Sequence, residues 1–166
     1  MTATHATRGK VTERIVVRWM RQNGFPGADR TRRMGFRTVL RTVEDEGDIG
    51  MAPGLLCQVK SLRPVNRMER AVGGWLLETE LQRRAAGAYA ALLVVRRDGT
   101  ADVGEWWAWL PLYMLDNLRR PDSTHAWAET DHVPARLMVA DACRLLRAAG
   151  YGTPLDPPAE TSGEDA

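Results

Sequence analysis

The chain has 166 residues, the size of one domain, and its 44% hydrophobic and 27% charged content is that of a globular protein with a sizeable core. No apolar run approaches the roughly 20 residues that span a bilayer, the opening MTATHATRGK lacks the apolar segment of a secretory signal, and two cysteines, Cys57 and Cys143, exclude a disulfide scaffold or a four-thiolate zinc site. The net charge of +2 hides an asymmetry: residues 1–43 hold ten basic and two acidic side chains (+8), and the remainder holds 13 basic against 19 acidic (−6). The expectation is one cytoplasmic domain over residues 10–150, with a flexible lead-in at 1–9 and a disordered Pro- and acid-rich tail at 151–166.

Residues 11–22 place Ile15, Val16, Trp19 and Met20 at helical spacing, with Arg14, Arg18 and Arg21 opposite, Thr12 as N-cap and Asn23-Gly24 as the stop. A basic loop, Arg30-Thr31-Arg32-Arg33, leads to a strand over 36–43, an acidic turn at Glu44-Asp45-Glu46 and a turn at Ala52-Pro53-Gly54. Residues 55–60 read as a strand whose period of two sets Gln58 and Lys60 on one face and Cys57 and Val59 on the other. A helix is expected over 72–86, with Leu77, Leu81 and Ala85 spaced at four, then a buried strand over 88–95. Asp98-Gly99 turns into a strand over 102–109. A short helix over 112–118, a loop over 121–133 and an amphipathic helix from Pro134 to about Ala149 complete the order. This is an α/β pattern, one domain with a central mixed sheet flanked by helices.

Three polar residues stand where local structure does not ask for them. Asp48 sits between Gly47 and Ile49 at the entry to an apolar strand, and Gln58 and Lys60 share a face of the next strand across a tight turn. Glu13, the sole acid in the first 28 residues, lies on the opening helix and is expected to reach the same point. Asp48, the amide oxygen of Gln58, the carbonyl of Val59 and Glu13 form an all-oxygen set for Mg²⁺, with Mn²⁺ as substitute. Such an ion polarises a phosphate and acidifies bound water, Lys60 balances developing negative charge, and a basic flank of Arg8, Lys10, Arg14, Arg30, Arg32, Arg33 and Arg37 holds backbone phosphates. The chemistry this set suits is metal-assisted phosphodiester hydrolysis.

Gly47-Asp48-Ile49 followed ten residues on by Gln58-Val59-Lys60 resembles the PD-(D/E)XK nuclease superfamily, and Glu13 in Val-Thr-Glu-Arg resembles the extra acid of its archaeal Holliday-junction-resolvase branch. The likeness spans residues 9–110. It implies a restriction-endonuclease-like core and a Mg²⁺-dependent endonuclease acting as a homodimer on branched DNA, of phage or mobile-element origin. Gln58 stands where the family carries its second acid, which weakens metal binding and favours one ion. The following helix can add Glu78 or Gln82 to such a site. The alternatives are a restriction- or repair-type nuclease on duplex DNA and a non-catalytic nucleic-acid-binding protein on a degenerate nuclease fold.

Trp106, Trp107 and Trp109 are base-stacking candidates, although Trp107 and Trp109 share a strand face, which more often marks a core or a dimer interface. His125 and His132 read as surface histidines, Trp75 as core and Cys57 as a small buried hydrophobe.

Overall fold

Alternation of apolar and polar residues along the chain is resolved into six strands and four helices in a computed structural model, which describes residues 5–31, 48–61, 68–119 and 133–155. In chain order these are α1 (His5–Gln22), β1 (Asp29–Arg30), β2 (Ile49–Ala52), β3 (Leu55–Lys60), α2 (Met68–Ala85), β4 (Ala90–Val95), β5 (Trp107–Pro111), α3 (Leu112–Arg119), β6 (Pro134–Met138) and α4 (Val139–Ala148). The strands form one sheet in sequential order, β1 through β6. All neighbours are antiparallel except β3 and β4, which run parallel because the whole of α2 lies between them.

The sheet separates two helical layers. On one side Val16, Val17 and Met20 of α1, Met114 of α3 and Val139, Ala142, Cys143 and Leu146 of α4 meet Ile49, Met51, Leu55, Cys57, Leu92, Val94 and Ala108. On the other, Val72 and Leu76 of α2 meet Leu93 and Val95, with Trp75, Trp107 and Trp109 packed around them. β4, Ala-Ala-Leu-Leu-Val-Val, is buried along its whole length because both faces are covered.

α1 ends where Asn23 Nδ2 donates to the Trp19 carbonyl (2.8 Å) and Phe25 N–H donates to the Met20 carbonyl (3.0 Å). Gly24 there has φ +92°, and a Cβ would lie 2.6 Å from the Thr153 carbonyl oxygen, so the position needs glycine. Thr153 N–H and Arg147 Nη1 donate to the Gly24 and Asn23 carbonyls, tying the segment after α4 to the end of α1.

Several expectations are corrected. α1 begins at His5 rather than 11, and Thr12, expected as its cap, is buried inside it. α2 buries Val72, Leu76, Thr79 and Gln82, whereas Leu77 and Leu81, the expected stripe, are exposed. Residues 134–138 are strand, not helix. They pair with β5, and the helix starts only at Val139. Trp106 precedes β5, points into the α1-side core and is 1% exposed, which removes it as a stacking residue. The expected strand over 36–43, the acidic turn at 44–46, His125, His132 and the tail beyond 155 lie outside the described residues.

Glu80 anchors the end of α2. Its carboxylate accepts from Arg83 Nε (2.8 Å), Arg83 Nη2 (2.6 Å) and Arg84 Nε (2.9 Å), and Arg83 Nη1 also holds the Ala88 carbonyl (2.7 Å). Burial pushes the Glu80 carboxyl upward, but the hydrogen bonds from Arg83 and Arg84 outweigh it and leave it below the usual carboxylate range. A depressed carboxyl contributes stability that is complete above its unfolded-state value and is lost as pH falls through its folded value. Glu80→Gln is therefore expected to lower stability by about 1–2 kcal/mol at pH 7. Thermal melts should show that deficit shrinking as the pH falls below the ordinary carboxylate range.

Candidate active site

The β2–β3 hairpin fixes the first residue of the site. Ile49 lies opposite Cys57, so Asp48, one residue earlier, lies opposite Gln58. Asp48 N–H donates to the Cys57 carbonyl (3.2 Å), and Thr31 N–H donates to the Asp48 carbonyl (3.1 Å). Its carboxylate is held as well, because Val59 N–H donates to Asp48 Oδ2 at 2.7 Å. A strand N–H points in the plane of the sheet, so this bond lays the Asp48 carboxylate along the sheet edge rather than on either face. The Val59 carbonyl, on the same side of β3 as its own N–H, has no ladder partner among the described residues.

Gln58 and Lys60 face α2, as alternation requires. Gln58 is 3% exposed and sits against Thr79, whose hydroxyl is 2.5 Å from Gln58 Oε1 and 2.7 Å from the Trp75 carbonyl. Thr79 Oγ1–H donates to Gln58 Oε1, which is too close for an amide N–H donor, and shares that hydrogen with the Trp75 carbonyl of its own helix, so the buried amide oxygen is already held by α2. Lys60 Nζ reaches Glu78 Oε2 at 2.9 Å, with both side chains partly open to solvent. The structure thus unites Asp48, Gln58, Val59, Lys60 and Glu78 at one end of β3. Gln82, one turn after Glu78, is 7% exposed, and its Oε1 has no partner among the described residues.

Glu13 takes a different course. It accepts from Arg30 Nε at 2.5 Å and is largely covered. Arg30 lies opposite Ile49, so the pair stands on the α1 face beside Asp48, with the sheet between it and Lys60. A predicted metal ligand and a predicted phosphate contact are therefore paired with each other. Lys10 and Arg14 are exposed on α1, and Arg8 lies in its first turns. Arg32, Arg33 and Arg37 lie outside the described residues.

Thr79 was not anticipated. The signal was present: Val72, Leu76 and Thr79 recur at helical spacing and define the covered face of α2, but the more apolar stripe at 77, 81 and 85 masks it.

Among the described residues, no group of three or more His, Cys, Asp and Glu side chains is placed to hold a metal ion. The oxygen donors at hand are one carboxylate fixed by a backbone bond, a strand carbonyl with no ladder partner among the described residues and a buried amide oxygen that accepts from Thr79. Such donors suit a hard cation that keeps most of its waters, as Mg²⁺ does. Neither cysteine is a nucleophile. Burial raises the Cys57 thiol well above its ordinary range, the Asp48 charge adds to this, and burial pushes Cys143 up to about 12.

Compared with protein-family models, curated proteins and solved structures, the chain matches none.

Gln58→Glu puts a carboxyl where the amide is buried, so its proton affinity rises and its charged form is penalised. The variant is expected to lose about 1–3 kcal/mol at pH 7 and to regain part of it at pH 5, where the carboxyl takes up a proton. Urea denaturation at the two pH values checks this; an equal loss at both would mean a steric rather than an electrostatic cause.

Proposed function

We propose that this chain is a metal-dependent DNA endonuclease of the PD-(D/E)XK type, structure-selective on branched DNA and working as a two-fold dimer. The observation that carries the reading is the Val59 N–H bond to Asp48, which sets a carboxylate beside Gln58 and Lys60 on adjacent antiparallel strands. The element order also suits the resemblance: a helix bearing Glu13, strands β1 to β3 with Asp48-Ile49 entering β2 and Gln58-Val59-Lys60 closing β3, then α2.

In this reading Asp48, the Val59 carbonyl and the Gln58 amide oxygen would hold one Mg²⁺ or Mn²⁺, the last by giving up its bond from Thr79. The ion, when bound, supplies polarisation of the scissile phosphate and a water acidic enough to attack. The chain's own residues do the rest. Lys60 offers a cation to the charge that develops on phosphorus-bound oxygens. Glu78 orients that ammonium and brings the negative charge that Gln58, a neutral residue, does not. Exposed Lys10 and Arg14 draw the polyanion in.

A second reading, a DNA-binding protein without catalysis, is favoured by one observation: Lys60 and Gln58 both have partners on α2 already.

Incubation with a labelled four-way junction and a matched duplex, in Mg²⁺, Mn²⁺ or EDTA, separates the readings. Paired symmetric nicks on the junction are expected, slowed about 10²-fold or more in Asp48→Ala and Lys60→Ala, and slowed less in Glu78→Gln. Equal cutting of the duplex assigns a general or restriction-type nuclease. Binding without cutting in any metal assigns the non-catalytic protein.

A further inference from the structure

Two strands from Lys60, on the same face of the sheet, indoles and guanidiniums interleave. Lys60 pairs with Val95 in β4, Val95 with Trp107 in β5, and Trp107 with Met138 in β6. The parallel row runs Gln58, Leu93, Trp109, Arg136. Laterally paired residues share a face, so both rows lie on the α2 side. α2 covers this face at Leu93 and Val95 but leaves β6 open: Arg136 is exposed and Met138 is 41% exposed. The Arg97 guanidinium lies 4.7 Å from the centre of the Trp107 ring, and Arg136 lies 4.6 Å from Trp107 and 5.5 Å from Trp109.

Both guanidiniums thus gather over one indole, and Arg136 is exposed to solvent there. The surface therefore combines aromatic rings with positive charge. A second copy of this chain placed on it by a two-fold axis would set Arg97 and Arg136 against their own equivalents. A single-stranded nucleic acid matches it on both counts: its bases stack on guanidinium planes and indoles, and its phosphates neutralise the arginines.

We propose that the Arg97–Trp107–Arg136–Trp109 surface is a stacking platform for an unpaired DNA strand. The proposal rests on the nuclease reading for the use of that strand: adjacent strands lie about 4.8 Å apart, so the platform begins about 10 Å from Lys60, some three nucleotides at the roughly 3.4 Å rise of a stacked strand. A strand unpaired at a branch would be held there while the phosphate at the branch reaches Asp48 and Lys60.

The test uses the full chain in EDTA, so that binding is read without cutting. Fluorescence anisotropy compares a labelled dT15 with a duplex of equal length, and tryptophan emission is followed in parallel. Quenching by dT15 is expected, together with a loss of dT15 affinity of about tenfold or more in Arg97→Gln/Arg136→Gln and of no more than about twofold for the duplex. Trp107→Leu, accepted only if its circular dichroism is unchanged, should remove most of the quench. Absence of quenching, or equal losses on dT15 and duplex, overturns the platform. A concentration-dependent dimer that Arg136→Gln dissolves also overturns it, and assigns the surface to a second copy. Intact dT15 binding beside a failed junction assay counts against the nuclease reading alone.

Discussion

Strand β3 has to place two polar side chains, Gln58 and Lys60, on a face that a helix covers, and the architecture around the site follows from how that demand is met. A buried amide without partners costs a few kcal/mol, so the helix on this face cannot present leucine everywhere. α2 meets Gln58 with Thr79 and Lys60 with Glu78, and this turns its more apolar stripe, Leu77 and Leu81, outward to solvent. The choice of buried face on α2 is thus dictated by polar satisfaction and not by greatest apolar area. On the opposite face of β3, Leu55 and Cys57 join the core with α1 and α4.

The same constraint explains what was legible in the sequence. β3 could be read because strict alternation leaves only one assignment of faces, and the turn at Pro53-Gly54 fixed its partner. Asp48 followed from its place before that strand. Elements whose cause lies elsewhere in the fold were harder. β1 is two residues long and exists because it borders β2. Residues 134–138 carry a proline suited to a first helical turn, yet pairing with β5 holds them extended, as suits an edge strand where a missing N–H is tolerated. Trp106 and Trp107 are neighbours in sequence and lie on opposite faces of the sheet, one in the core and one half-covered by arginines, a split that follows from where β5 begins.

Charge was legible in amount but not in pairing. The excess of arginine near the N-terminus was plain, yet which arginines meet acids depends on strand register: Arg30 meets Glu13 because β1 runs beside β2 under α1. That pairing ties one acid and one base to each other on the α1 face. Sequence reading also gave no weight to Arg97 and Arg136, which lie outside the basic quarter and are 39 positions apart, because what makes them notable is a shared indole.

The distribution that results is a gradient across one face of the sheet. At the β2–β3 end stand the carboxylates, Asp48 at the sheet edge and Glu78 beside Lys60. At the β5–β6 end stand guanidiniums over indoles. A polyanion approaching this face meets attraction at the far end and, at the near end, carboxylates that repel its phosphates unless a cation intervenes. Electrostatics alone would therefore seat a nucleic acid on the aromatic end first and leave the carboxylate end dependent on a metal ion. In the proposed function, holding the strand and acting on it would be physically separable steps, and only the second would require the ion.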